Sequence, residues 1–336
     1  MIITRTPFRI SFAGGGSDLP SFYTRHEGCV LSASINKYMY VIVHPSFDKS
    51  ETIVKYRKME IVKDLGELQH PIARQILQDY NLSGVEIASI SDIPAGTGLA
   101  SSSAYTVGAI NAVSTYVGKI RSNERLAKEA CEVEIEKLGE TIGKQDQYGV
   151  AVGGLKFIRF MKDGNVQVTP ILLPRETLHT LNDNLMMFYT GNVHSASAIL
   201  KEQSANTSQD AKFNNLVKMT ELAYELRDAL TANDLTSFGQ ILHQGWMLKR
   251  ELASGITSPE IDYYYDLALQ NGALGGKLLG AGGGGFLLFY AEKDKQKAVL
   301  DALSELMYVP FQFENGGSRV IYYAPEVYEM DGSARD

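Results

Sequence analysis

Cysteine is almost missing from this chain: Cys29 and Cys131 are the only two in 336 residues. They stand far apart and match no metal-binding or redox spacing, which excludes a disulfide scaffold and fits a reducing, cytoplasmic setting. The six histidines show no paired ligand spacing, so a structural zinc is not expected. Basic clusters are also absent, and a net charge of −7 argues against nucleic acid and anionic membranes as partners. No apolar run approaches the roughly 20 residues of a membrane span. The opening Met-Ile-Ile-Thr-Arg-Thr-Pro carries no signal-peptide pattern. What remains is ordinary for a soluble globular protein, 44% apolar and 21% charged, with length enough for two domains. The expectation is a soluble cytoplasmic enzyme. To act on phosphate-rich substrates, so acidic a chain needs local cations and a divalent metal.

Glycine is plentiful and clustered. The central cluster is Asp92-Ile-Pro-Ala-Gly-Thr-Gly-Leu-Ala-Ser-Ser-Ser-Ala104. Residues 85–90 before it read as a short strand, and Val107, Ile110, Val113 and Val117 after it mark one face of a helix. Strand, glycine-rich turn and helix start together aim backbone N–H groups at a phosphate. The first helical turn has four unpaired N–H groups and a partial positive charge, and glycines let the main chain approach a bulky anion. Ser101, Ser102 and Ser103 add hydroxyls for capping, phosphate bonding or Mg²⁺. Taken alone, the stretch reads equally as a serine-capped connector. The Walker A pattern is absent, and Ser101 stands where a dinucleotide fingerprint has its third small residue.

Residues 6–13 read as an opening strand with Phe8, Ile10 and Phe12 on one face and Arg9 and Ser11 on the other. Gly14-Gly-Gly-Ser-Asp18 follows, a loop ending in a carboxylate. Residues 30–45 and 52–62 read as strands, 70–80 as a short helix, and Ser122 opens a helix carrying Glu132, Glu134 and Glu136. Gly143-Lys-Gln-Asp-Gln-Tyr-Gly149 reads as a polar loop suited to catalysis, and Asp163-Gly164 as the turn of a hairpin. The second half reads as a strand at 185–189, helices near 194–203, 211–230, 235–252 and 259–270, and a strand–glycine–strand hairpin over 277–290. A helix at 293–305 and strands at 311–313 and 319–323 complete an α+β second domain, before a frayed tail at 331–336.

Three glycine clusters in this order, with Gly143-Lys-Gln-Asp-Gln147 between the second and third, resemble the GHMP kinases over nearly the whole length. Residues 94–104 look like that family's Pro-x-Gly-x-Gly-Leu-Gly-Ser-Ser-Ala loop, with Ala100 replacing a usual glycine. Residues 5–18 and 143–147 are similar to the sugar-1-kinases, above all the D-glycero-D-manno-heptose 7-phosphate kinases. Galactokinases have Gly-Glu-His-Thr-Asp where this chain has Gly14-Gly15-Gly16-Ser17-Asp18.

The resemblance implies an α+β, two-domain fold: residues 1–180 as an ATP-binding domain like ribosomal protein S5 domain 2, and 181–330 as a ferredoxin-like domain. It also implies ATP and Mg²⁺ as cofactors. Pro94, Gly96, Thr97, Gly98, Leu99, Ala100, Ser101, Ser102 and Ser103 would wrap the phosphates, with Ser102 and Glu134 as metal ligands. Asp146 would be the base, and Arg9 would steady the attacking oxygen. Gly15, Gly16, Ser17 and Asp18 would hold the sugar, with Gly283 lining the site. Lys144, Arg25, Lys249 and Arg250 are candidates for a second cationic pocket that would hold a phosphate on the sugar. The expected partner is a small sugar or sugar phosphate, the expected assembly a monomer or homodimer. The rivals are a fucokinase- or galactokinase-like kinase of an unphosphorylated sugar, a non-catalytic ATP- and sugar-binding regulator, a dinucleotide oxidoreductase, and a kinase of mevalonate or homoserine.

Overall fold

The computed structural model describes residues 1–191 and 196–324. The expected frayed tail and the first residues of the helix expected over 194–203 lie outside them. The chain opens with β1 (Ile2–Ala13), the short helix α1 (Pro20–Tyr23) and β2 (Gly28–Pro45), an 18-residue strand. Next come the hairpin β3 (Thr52–Lys55) and β4 (Met59–Val62), helix α2 (Pro71–Asp79) and β5 (Val85–Ser91). The glycine–serine turn leads into α3 (Ser101–Tyr116), followed by α4 (Asn123–Cys131), a π-helical turn over Glu132–Lys137, and α5 (Gln145–Val152). The hairpin β6 (Leu155–Phe160) and β7 (Val166–Pro170) and helix α6 (Arg175–Asp183) close the first half.

The second half contains β8 (Leu185–Tyr189), α7 (Ala196–Asn206), α8 (Asp210–Thr231), α9 (Leu235–Arg250) and α10 (Pro259–Gln270). It ends with β9 (Gly275–Leu278), β10 (Phe286–Tyr290), α11 (Gln296–Ala302), β11 (Met307–Tyr308) and β12 (Arg319–Tyr323). The strands form two sheets. The first has eight strands in the order β12-β1-β2-β5-β3-β4, with β6 pairing the first half of β2 and β7 pairing β6. The second is β11-β8-β10-β9, antiparallel throughout.

Two expectations fail here. Residues 311–313 form no strand, only a bridge from Phe313 to Ile35. Strand 319–323 forms as expected but crosses back to pair with β1 in the first sheet. Strand propensity reveals that a segment is extended; it says nothing of which edge accepts it. The elements not anticipated include α1, α5, α6 (over residues expected to be a boundary) and the two-residue β11 on the edge of β8.

Burial explains why these elements close on one another. Phe8, Ile10 and Phe12 are buried as their alternation requires, and the Phe12 ring meets Phe238 of α9 edge-on at 5.3 Å. Helix α3 departs from the single-face reading. Every residue from Ser103 to Ser114 is buried, because α3 packs against β1 and β2 while α2, α4 and α5 cover its sides. Gly108 permits that approach, since a Cβ there would lie 3.0 Å from Thr6 Oγ1 and 3.2 Å from Val41. A second core of Phe22, Phe188, Trp246, Tyr265 and Phe289 sits around the smaller sheet.

Candidate active site

The strand β1 carries a register shift between Pro7 and Phe8 against β2. Such irregularities re-aim the side chains that follow. Past it, Arg9 and Ser11 face a cavity of about 790 Å³ while Phe8, Ile10 and Phe12 fill the core. The sequence alternation therefore assigned the two faces correctly.

Arg9 is 2% exposed, and its charge is met on the spot. Its Nε and Nη2 donate to Asp146 Oδ1 at 3.0 and 2.6 Å, and Nη1 donates to the Gly98 carbonyl at 2.8 Å. One guanidinium thus ties the phosphate-type loop to Asp146, the charge-assisted geometry that fixes orientation most firmly. Both donors use Oδ1, so Asp146 Oδ2 takes no hydrogen bond among the described residues. Asp146 is not in a loop, as expected, but in the first turn of α5. Gly149 caused the misreading. It is a helical residue here, and a Cβ on it would stand 3.0 Å from the Arg9 stem.

Asp18 is buried beside this pair. Its Oδ1 accepts from Gly16 N at 3.0 Å and Gln145 Nε2 at 3.3 Å, and its Oδ2 accepts from Gln145 N at 3.1 Å. Burial, with the Asp146 carboxylate nearby, lifts its pKa to about 6. Gly15 and Gly16 line the cavity next to it. Ser17 does not: it is fully buried, its hydroxyl donates to the Gly14 and Cys29 carbonyls, and it accepts from Cys29 N. Its place is in holding the loop to β2.

The turn before α3 divides in the same way. Pro94, Gly96, Gly98, Ala100, Ser101 and Ser102 line the cavity. Thr97, Leu99 and Ser103 are buried behind it, and Thr97 Oγ1 donates to the Pro94 carbonyl at 2.9 Å. Ala100, the residue that caps α3, holds φ +68°, ψ +40°, the left-handed conformation that glycine adopts without strain. Gly98 (φ +84°) and Gly280 (φ +77°) lie backbone to backbone; a Cβ on Gly280 would come 2.3 Å from Gly98 Cα. The 280–285 segment forms the tight connection between β9 and β10 that the sequence suggests. Gly280, Ala281, Gly282 and Gly284 line the cavity, whereas Gly283 stands behind it and donates its N–H to the Ile256 carbonyl at 3.0 Å.

Of the three glutamates on the 132–136 segment, Glu134 alone is buried. It lies behind the first turn of α3 and accepts from Ser103 Oγ (2.8 Å), Thr106 Oγ1 (3.1 Å) and Gln147 Nε2 (2.6 Å). Burial raises its pKa to about 7. A carboxylate offers about four acceptor positions, so one remains open on Glu134, which unlike Ser102 does not line the cavity. Among the described residues no cluster of three or more His, Cys, Asp or Glu could hold a metal. The oxygen-only pair Ser102 and Glu134 fits a cation such as Mg²⁺, which keeps waters and substrate phosphates as its other ligands.

Some lining residues, Gln203, Tyr105, Tyr56 and His70 among them, had no sequence signal behind them. Four buried polar atoms of lining residues have no partner: Ser11 Oγ, Gln145 Oε1, Gln203 Nε2 and Tyr105 Oη. Buried polar groups are normally paired, so these four atoms are free to bond to whatever enters the cavity. Tyr105 belongs to an aromatic group with Tyr56 and His70, whose rings stack edge-on and tilted at 4.7 and 4.8 Å. Burial lowers the His70 pKa, which favours its neutral ring.

Among the four cationic candidates, only Lys249 lines the cavity. Lys144 donates to the Gly164 carbonyl, Arg25 lies over the Phe213 ring, and Arg250 pairs with Asp262. Lys277, which sequence reading passed over, lines it as well. Its signal was available: a lysine inside an apolar strand just ahead of the glycines.

Two matches with known proteins give this geometry a family. Residues 67–154 match the GHMP kinases N terminal domain, and residues 226–309 match the GHMP kinases C terminal. The chain belongs to the GHMP kinases and is a phosphotransferase of that family. It is 29% identical to the D-glycero-alpha-D-manno-heptose 7-phosphate kinase of Campylobacter jejuni, covering 90% of this chain and 93% of that one. It is 27% identical to the L-fucokinase/L-fucose-1-P guanylyltransferase of Bacteroides fragilis, covering 88% of this chain but only 35% of that protein. The crystal structure of a D-glycero-D-manno-heptose 1-phosphate kinase from Bacteroides thetaiotaomicron superposes with a TM-score of 0.80 at 24% identity, covering 96% of this chain and all of that one, which confirms the fold.

Proposed function

We propose that the protein is an ATP- and Mg²⁺-dependent sugar kinase that phosphorylates the anomeric hydroxyl of D-glycero-D-manno-heptose 7-phosphate, giving the 1,7-bisphosphate. One observation carries the reading. The 94–102 turn, the Arg9–Asp146 pair and Asp18 all line a single cavity, with unpartnered hydrogen-bonding atoms beside them. The likeness to the Campylobacter enzyme supports the heptose phosphate. The likeness to the fucokinase supports a second acceptor, an unphosphorylated sugar of the fucose type.

In this reading the backbone N–H groups of 96–102 and the start of α3 take the β- and γ-phosphates. The Tyr56–His70–Tyr105 group receives the base, with Tyr105 Oη as a free polar contact. Ser102 and Glu134 would hold Mg²⁺, which when bound would neutralise phosphate charge. Asp18, Gln145 and Gln203 orient the sugar. The anomeric oxygen attacks the γ-phosphorus and its proton passes to Asp146 Oδ2; the bond from the γ-phosphorus to the β,γ-bridging oxygen breaks, and ADP leaves. Arg9, fixed by Asp146 and the Gly98 carbonyl, offsets negative charge developing between acceptor and phosphate. Positioning and electrostatics account for most of the rate in such transfers.

The test is phosphorus NMR of reactions containing ATP, Mg²⁺ and either heptose 7-phosphate or a panel of free sugars. A new anomeric phosphate signal with heptose 7-phosphate supports the assignment. Turnover of fucose alone selects the second acceptor, and no phosphorylation of any sugar rejects both.

A further inference from the structure

Two buried lysine side chains line the cavity, and among the described residues neither has an ion-pair partner. Lys277 projects from β9 and donates to the Phe12 carbonyl at 3.0 Å, next to the unpartnered Ser11 hydroxyl. Lys249 projects from the end of α9 and donates to the Leu278 and Gly280 carbonyls. Each residue is 5% exposed. Among the described residues no carboxylate lies within ion-pair distance of either lysine; the two whose charge reaches Lys249 are engaged elsewhere, Asp146 by Arg9 and Asp18 by Gly16 and Gln145. Burying a charge without a partner is costly. Burial pulls Lys249 down to about 8, and burial together with Lys249 pulls Lys277 well below the usual lysine value. A fold that keeps two such groups beside an open cavity, each steadied by carbonyls from a different segment, presents a built site for an anion.

We infer that Lys249 and Lys277 together form a phosphate subsite that reads a phosphate carried by the acceptor, making the preferred substrate class a sugar phosphomonoester. This rests on the kinase reading above and assigns residues to the selectivity that reading requires. A phosphate held there supplies the missing counter-charge, and both ammonium groups bind it as full cations. The γ-phosphate of ATP is the other source of the same chemistry, so the test separates the two.

The variants are Lys277→Met, Lys249→Met and the double substitution. Removing an unpaired buried ammonium relieves desolvation, so all three are expected to melt no lower than the parent. Steady-state kinetics with ATP compare heptose 7-phosphate with the free heptose. The expected result is a KM for heptose 7-phosphate raised about tenfold or more in each single variant, as loss of a charged hydrogen bond predicts. The ratio of kcat/KM between phosphorylated and free sugar should fall by the same factor, with the KM for ATP within about twofold of the parent. A raised KM for ATP, or an equal fall in kcat with both acceptors, would assign the lysines to the transferring phosphate and overturn the inference; so would no change in any constant. Calorimetric titration of inorganic phosphate covers the case in which the parent phosphorylates no sugar. Binding by the parent and not by the double variant would then uphold the subsite while the kinase reading fails. Equal binding by both would reject the subsite.

Discussion

Replacing Gly98 with alanine tests whether the two glycine segments shape the phosphate end of the cavity. Gly98 has φ +84°, where a side chain costs about 1–2 kcal/mol. Its Cβ would stand 2.5 Å from the Leu279 carbonyl oxygen and 3.1 Å from Gly280 Cα. Both neighbours are main chain, so relief requires the loop and the β9–β10 connection to part, at an overpacking cost of about 1–3 kcal/mol. The combined loss of stability is about 2–5 kcal/mol. Parting these segments also shifts the Gly98 carbonyl that holds Arg9. A misplacement approaching 1 Å lowers kcat/KM by about a hundredfold. Two glycines serve as controls. Gly118 has φ +75° and nothing within 4 Å of a Cβ, so Gly118→Ala carries strain alone. Gly84 has φ +68° and a carbonyl 2.6 Å from the Cβ position but lies away from the cavity, so Gly84→Ala carries strain and collision without the kinetic effect. Urea denaturation and steady-state kinetics on the three variants separate the contributions. If Gly98→Ala loses stability yet keeps kcat/KM within twofold of the parent, the reasoning fails.

Three further outcomes are expected. Asp146→Asn should lower kcat by about 10²–10⁴-fold while ATP still binds by calorimetry; near-normal turnover would reject its role as base. Asp18 has a folded pKa of about 6 against an ordinary 3.8. Its contribution to stability is therefore full below about 3.8 and lost as pH rises through 6, by at most about 3 kcal/mol. Stabilities from urea denaturation should fall further from pH 4 to pH 7.5 in the parent than in Asp18→Asn by that amount, since Glu134 lowers both alike, and parallel pH profiles would refute it. Ala100→Gly should relieve the left-handed strain at the cap of α3, a gain of about 1 kcal/mol once the added freedom of the unfolded chain is subtracted. A melting temperature below the parent's would contradict this.

Much of the site could be read before the fold was known, because local rules governed it. Alternation placed Arg9 and Ser11 together, and glycine and serine marked the turn. What escaped depended on contacts between distant segments. Ser17 looks like a ligand-binding serine until Cys29 N and two carbonyls consume its hydroxyl. Lys277 and Gln203 enter the cavity only because β9 reaches the Phe12 carbonyl and α7 packs against the loop at Gly16. Strand 319–323 was recognised, but its partner, β1, lies more than 300 residues earlier, and no local pattern encodes that pairing. Gly149 suggested the edge of a loop and instead, like Gly108, permits close packing in a helix.

The central claim is that one cavity holds a nucleotide triphosphate against the 94–102 turn and a sugar against Arg9, Asp18 and Asp146. A crystal structure with a non-hydrolysable ATP analogue, Mg²⁺ and heptose 7-phosphate tests it most directly. The account predicts β- and γ-phosphates on the backbone amides of residues 96–102, with the anomeric oxygen in reach of Asp146. A triphosphate bound away from that turn, or a sugar with no contact to Asp18 or Asp146, would contradict it.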